Sequence, residues 1–246
     1  MSAAPAQDDR TAGPGSTAAA PVGADVPGAS VRPPGDGPRP RIVVVDYGVG
    51  NRRSVEKALE RAGADAVVTD DRATIAAADG LVLCGVGAFP EGARRLRESG
   101  LDEVVRDRVA DGTPLLGVCL GMQLLFERSD ERGGAAGLGL LPGPVQGLTP
   151  ALGLKLPHIG WNSVTWSEGT TSPLRAGLPD GAAFYHVHSF VARPEDPADV
   201  VARGDYGSPF VTAVSRGHVH GAQFHPEKSS TDGLRVLRGF AVACTR

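Results

Sequence analysis

Four short apolar runs, each followed by a stretch of helical character, constrain the fold of this chain more than any other feature. Ile42-Val43-Val44-Val45 is bounded by Pro40 and Asp46, and Ala66–Thr69, Leu81–Cys84 and Pro114–Val118 follow it. Runs this short and this continuously apolar suit strands buried on both faces, as in a parallel sheet. Between them, Ser54–Ala62 has the spacing of an amphipathic helix ending at Gly63, and Glu91–Ala110 is a charged helical stretch. Met122–Glu127 continues the fourth run as a helix. The alternation predicts an α/β fold, a flavodoxin-like and mostly parallel sheet flanked by helices.

The second half reads differently. From Leu140 to Val191 short runs are broken by Gly, Pro and Trp, which suits additional antiparallel strands and loops. Phe210–Ser215 and Val219–Phe224 form a hairpin pattern around Arg216-Gly217-His218, and Leu234–Ala243 reads as a closing helix. One domain is expected over 41–246. The segment 1–40 is dominated by Ala, Pro and Gly and holds few sizeable apolar side chains. It cannot bury enough surface to offset its chain entropy, so a disordered tail is expected there. It lacks the apolar core of a signal peptide.

Composition narrows the function. With 25 basic and 28 acidic residues the formal charge is −3, without the basic excess of a general nucleic-acid binder. No apolar run approaches the roughly 18–20 residues of a membrane-spanning helix. Three cysteines, 84, 119 and 244, are too few and too scattered for a disulfide scaffold and favour a reducing, cytoplasmic setting.

The sharpest local signal is Gly117-Val118-Cys119-Leu120-Gly121. A buried strand delivers a thiol into a tight turn and a helix starts at once, the cysteine counterpart of the Gly-x-Ser-x-Gly elbow. A helix N-terminus favours the thiolate, and its free N–H groups can hold an oxyanion. The competing reading is a small buried cysteine at a strand end. A nucleophile needs a base and a group that orients the base. Of six histidines, His225 stands at the end of an apolar run with Glu227 two residues on, close enough to fix the imidazole. Without Cys119 the pair would sooner read as a solvated loop contact; with Cys119 at another strand end it reads as a triad. Gly85-Val86-Gly87 forms a further turn after the third run, on the sheet edge where α/β folds bind ligands, and its N–H groups can supply half of an oxyanion hole.

Other uses of these residues carry less. Gly48-x-Gly50 and Gly85-x-Gly87 have Arg53 and Pro90 where a dinucleotide loop needs its third glycine. The pairs His186/His188 and His218/His220 have one-face strand spacing, but no Cys-x-x-Cys or His-Glu-x-x-His accompanies them. No metal or other cofactor is expected.

Together these residues resemble the class I, triad-type glutamine amidotransferases, and more narrowly the family of glutaminase subunits of imidazole glycerol phosphate synthases. Residues 117–127 and His225-Pro226-Glu227 carry the broad resemblance. The narrower one rests on Asp46–Asn51 with Arg53-Ser54-Val55, on Gly85–Phe89, Pro157–Asn162, Val187-His188-Ser189 and Lys228-Ser229. It covers essentially all of 41–246.

The resemblance implies that Cys119 attacks the side-chain amide of glutamine, that His225 moves the protons and that Glu227 orients it. It places Leu120, Gly85 and Val86 at the oxyanion, and Gly87, Gln123, Glu131, Ser189 and Phe190 around the substrate. It implies a heterodimer with a (β/α)8-barrel cyclase that receives the ammonia, with Asn51, Met122, Lys228 and Ser229 facing that partner. The chain departs from its relatives at Cys84, where Pro is usual before the Gly-Val-Gly turn, and a more easily remodelled turn is expected. His186 stands in place of an aromatic residue such as Phe, and Phe190 in place of Tyr. Three other readings stay open: a glutaminase serving a vitamin B6 or purine-pathway synthase, a catalytically silent regulatory subunit, and a Cys–His–Glu peptidase.

Overall fold

The computed structural model describes residues 39–245; the expected tail, apart from Arg39 and Pro40, lies outside them. The first half alternates as β1 (Arg41–Val45), α1 (Arg52–Ala62), β2 (Asp65–Thr69), α2 (Arg72–Ala76), β3 (Gly80–Gly85), α3 (Phe89–Glu98), α4 (Leu101–Ala110), β4 (Leu115–Cys119) and α5 (Leu120–Leu124). The second half contains β5 (Phe126–Ser129), β6 (Ala135–Ala136), β7 (Leu141–Gly147), β8 (His158–Ser163), β9 (Thr165–Trp166), β10 (Ala183–His188), β11 (Phe190–Ala192), β12 (Val200–Asp205), β13 (Pro209–Arg216), β14 (Val219–Ala222) and α6 (Ser230–Ala243).

The main sheet has the order β2-β1-β3-β4-β14-β13-β12-β9. The first five strands are parallel and the remaining pairings antiparallel. This is the flavodoxin-like order with an antiparallel extension, as the alternation of runs predicts. Strand side chains alternate between two cores: Ile42 and Val44 pack on the face of α1 and α6, Val43 and Val45 on the opposite face. Both faces are covered, which is why the runs are apolar throughout. The β13–β14 hairpin turns at Gly217-His218, with Arg216 opposite Val219.

Two helix expectations need correction. The stretch 91–110 is two helices, broken where Gly100 takes φ +64°. Arg72 donates to the Ser99 carbonyl there, and a Cβ on Gly100 would lie 2.2 Å from its guanidinium. Of Met122–Glu127 only Met122–Leu124 is helical, as the end of α5. After α5 the carbonyls of Leu124, Leu125, Phe126 and Glu127 accept from the N–H groups of 137–141, so the chain leaves as a strand. These returning N–H groups take the acceptors a continuing helix would have used.

The strand pair β8/β10 forms a separate two-stranded sheet, and β11-β7-β5-β6 another. The segment 183–192 therefore changes sheets at Ser189, beside the C-terminal ends of β3 and β4.

Candidate active site

Cys119 ends β4 at φ +53°, ψ −113°, a conformation L residues seldom adopt. Its flanking glycines make this possible by close packing. A Cβ on Gly117 would lie 2.7 Å from the Gly121 carbonyl oxygen, and one on Gly121 1.6 Å from that of Leu83. Strain at this position is what a nucleophile elbow requires. Leu120 opens α5, so its N–H has no acceptor within the helix.

The thiol is buried. It donates to the Val187 carbonyl and accepts from Gln223 Nε2, both at 3.8 Å. His225 lies past the end of β14, with its Nδ1 2.9 Å from Glu227 Oε1. Nδ1 carries the proton toward the carboxylate, which leaves Nε2 for the thiol. Burial disfavours the imidazolium, but hydrogen bonding with Cys119 and Glu227 outweighs it and pushes His225 up to about 9. His225 thus stands between Cys119 and the Glu227 carboxylate, and both favour its protonated form. Two backbone anchors hold it: its N–H donates to Tyr185, and its carbonyl accepts from the Ser229 hydroxyl at 2.7 Å.

These groups open onto a cavity of about 290 Å³, at the lower end of the range for small-molecule sites. Val86, Gly87, Leu120, Gln123, Glu131, Ser189 and Phe190 line it, together with Cys119 and His225. Gly85 lies behind this wall, where a Cβ would meet the Tyr47 hydroxyl at 2.3 Å and Leu120 at 3.1 Å. Glu131 also caps α3, its carboxylate accepting from the Phe89 N–H at 2.7 Å. Gln123 donates to the Phe190 carbonyl and to Gln223 Oε1, which ties α5 to the far wall.

The four residues expected to face a partner divide. Asn51 and Lys228 are exposed, and Lys228 also borders the cavity. Met122 is buried against Gly221, and Ser229 is buried between Tyr185 and His225. The side chains of Met122 and Ser229 face the interior and offer no surface to a partner. Met122 points inward because α5 packs its whole length on the sheet; Ser229 is held by its two backbone bonds.

Sequence reasoning missed Gln223 and His188. A glutamine inside the apolar run 221–224 was the available signal, since a buried amide must find partners. His188 lines the cavity, and with His186 it turns inward from one face of β10 toward His158. His218 donates to the Val109 carbonyl, and His220 is bonded to Ser215. Among the described residues no cluster of three or more His, Cys, Asp or Glu side chains is arranged to hold a metal ion, and no helix is long and apolar enough to cross a membrane.

A strained thiol at a strand–helix elbow, a carboxylate-bound imidazole and a cavity at the C-terminal edge of a parallel sheet define an α/β amidotransferase architecture. Residues 43–244 match the family Glutamine amidotransferase class-I, and the chain belongs to that family of enzymes. Within it, the chain is 51% identical over 197 residues to the imidazole glycerol phosphate synthase subunit HisH of Symbiobacterium thermophilum, covering 80% of this chain and 91% of that one. It is 50% identical over 207 residues to HisH of Methylococcus capsulatus, covering 81% and 94%. With HisH of Rhodopirellula baltica it shares 46% over 202 residues, covering 82% and 97%. Solved structures show the same fold. A crystal structure of a glutamine amidotransferase matches with TM-score 0.64 at 24% identity, over 83% of this chain and 99% of its own. PurLQS from Thermotoga maritima matches with TM-score 0.62 at 23% identity, again over 83% and 99%.

Proposed function

We propose that the chain hydrolyses L-glutamine to glutamate and ammonia and serves as the glutaminase subunit of an imidazole glycerol phosphate synthase, in histidine biosynthesis. The observation that carries the reading is the row Cys119–His225–Glu227, with Cys119 and His225 lining the 290 Å³ cavity and Glu227 2.9 Å from the imidazole. The similarity to HisH proteins over nearly their whole length directs it to this synthase rather than to another acceptor.

In this mechanism the Cys119 thiolate attacks the amide carbon. Leu120 N–H and the Gly85–Val86 turn hold the oxyanion. The His225 imidazolium gives its Nε2 proton to the leaving nitrogen, ammonia departs, and a glutamyl thioester remains. Neutral His225 then takes a proton from water, which attacks the thioester; glutamate leaves and the thiolate–imidazolium pair returns. Glu227 keeps Nδ1 protonated throughout. The cavity wall at Gly87, Gln123, Glu131, Ser189 and Phe190 receives the amino-acid end of glutamine.

The ammonia passes to a (β/α)8-barrel cyclase in a heterodimer, which keeps it from being protonated in water. An apolar strip beside the cavity rim suits such docking: Ile159 and Trp161 on β8 are 59% and 56% exposed, and Leu154 and Leu156 precede them. Asn51 and Lys228 supply polar contacts. A glutamine-analogue electrophile tests the site: it should label Cys119 alone among the three cysteines, and glutamine should protect. Labelling indifferent to glutamine would contradict the reading.

A further inference from the structure

From the cavity wall at His188 a chain of hydrogen bonds runs inward through two imidazoles. His188 Nδ1 lies 3.1 Å from the Phe190 carbonyl oxygen, so Nδ1 must carry the proton and donate. Neutral His188 then has a bare Nε2, which faces His158 Nδ1 at 3.3 Å. His158 Nδ1 is therefore the donor, and its Nε2 accepts from Asn162 Nδ2 at 3.4 Å. Asn162 is oriented in turn by donating to the Asp205 carbonyl at 2.7 Å. Every proton in this row is assigned by its neighbour, and a second proton on either ring would set two donors against each other. Burial, with the neighbouring imidazole, pushes His188 down to about 3, and burial lowers His158 as well. His186, Tyr206 and Phe210 pack around the pair.

The place of this row matters. His188 ends β10, which pairs with β8; Phe190 begins β11, which pairs with β7. Ser189, between them, is where the strand passes from one sheet to the other and where it lines the cavity. The bond from His188 to Phe190 spans that passage. The carbonyl it holds also accepts from Gln123, and the Val187 carbonyl just before it accepts from the Cys119 thiol.

We propose that His158 and His188 are positioning residues for the substrate pocket. Through His188, the Nδ1–H of His158 on β8 fixes the Val187–Phe190 backbone in the shape that receives glutamine. The proposal rests on the glutaminase reading for its consequence, though not for the bonding itself. Neither ring touches the reacting bond, so the effect falls on substrate affinity.

Two measurements on the full chain test it. In the wild-type protein, nitrogen-15 imidazole shifts should show both rings neutral with Nδ1 protonated; a bare Nδ1 on either ring overturns the relay whatever the activity. In glutamate-release assays with a cyclase subunit, His158→Leu removes the donor, whereas His158→Asn keeps an N–H where Nδ1–H stands. His158→Leu should raise KM for glutamine by about tenfold while kcat changes less than about threefold, and His158→Asn should restore most of the loss. Equal effects of the two variants, or none from either, would overturn the positioning role. No glutamate release by the wild type would instead remove the glutaminase reading and leave the imidazole shifts to decide the bonding.

Discussion

The carbonyl oxygen of Leu83 stands 1.6 Å from the place a Cβ on Gly121 would take. The first turn of α5 is thus pressed onto β3, and this contact sets the elbow that carries Cys119. Gly121→Ala would drive a methyl group into immobile backbone, so a loss of about 3 kcal/mol or more, or failure to fold, is expected. Gly87→Ala meets open space and only the cost of φ +107°, so it should lose about 1 kcal/mol. Urea midpoints of the two variants should fall in that order; a Gly121→Ala protein as stable as the wild type would mean the elbow is not packed this way.

Stability should depend on pH through His225. Its imidazole, raised to about 9 by Cys119 and Glu227 against burial, binds its proton more tightly folded than unfolded. The stabilisation is therefore complete below the unfolded value of about 6.5 and is lost as pH rises through about 9. Cys119→Ala removes the foremost of the bonds that raise it and should lower the His225 value. Titration of the imidazole in both proteins checks this; an unchanged value would mean that Cys119 does not hold the cation.

Ser229 distinguishes an interior role from a surface one. Its hydroxyl accepts from the Tyr185 N–H at 2.9 Å and donates to the His225 carbonyl at 2.7 Å. Ser229→Ala leaves the Tyr185 N–H unpaired, while the His225 carbonyl keeps its bond from the Lys228 N–H, so the change should cost about 1–3 kcal/mol. Chemical denaturation of the isolated chain reads the effect. Wild-type stability combined with weakened cyclase binding would return Ser229 to the partner surface.

The parallel core was legible because β1, β3 and β4 are buried on both faces and so are apolar without interruption. The elbow was legible because two glycines at fixed spacing around Cys119 answer to backbone contacts nothing larger allows. His225 and Glu227 are two residues apart, so their contact is local. What escaped was settled at long range. The end of α5 depends on N–H groups from 137–141, which no local pattern in 122–127 announces. Met122 and Ser229 adjoin site residues in sequence, yet their directions follow from packing against Gly221 and Tyr185. The His158–His188 contact joins residues thirty apart, brought together only by the register of β8 and β10.

Glutamate release from glutamine, by the purified chain alone and then with a cyclase subunit loaded with its nucleotide ligand, tests the central claim most directly. The account predicts low release alone, a large increase in the complex, and a loss of about a thousandfold or more in Cys119→Ala. Release that persists in Cys119→Ala, or its complete absence from a folded complex with a reactive Cys119, would contradict it.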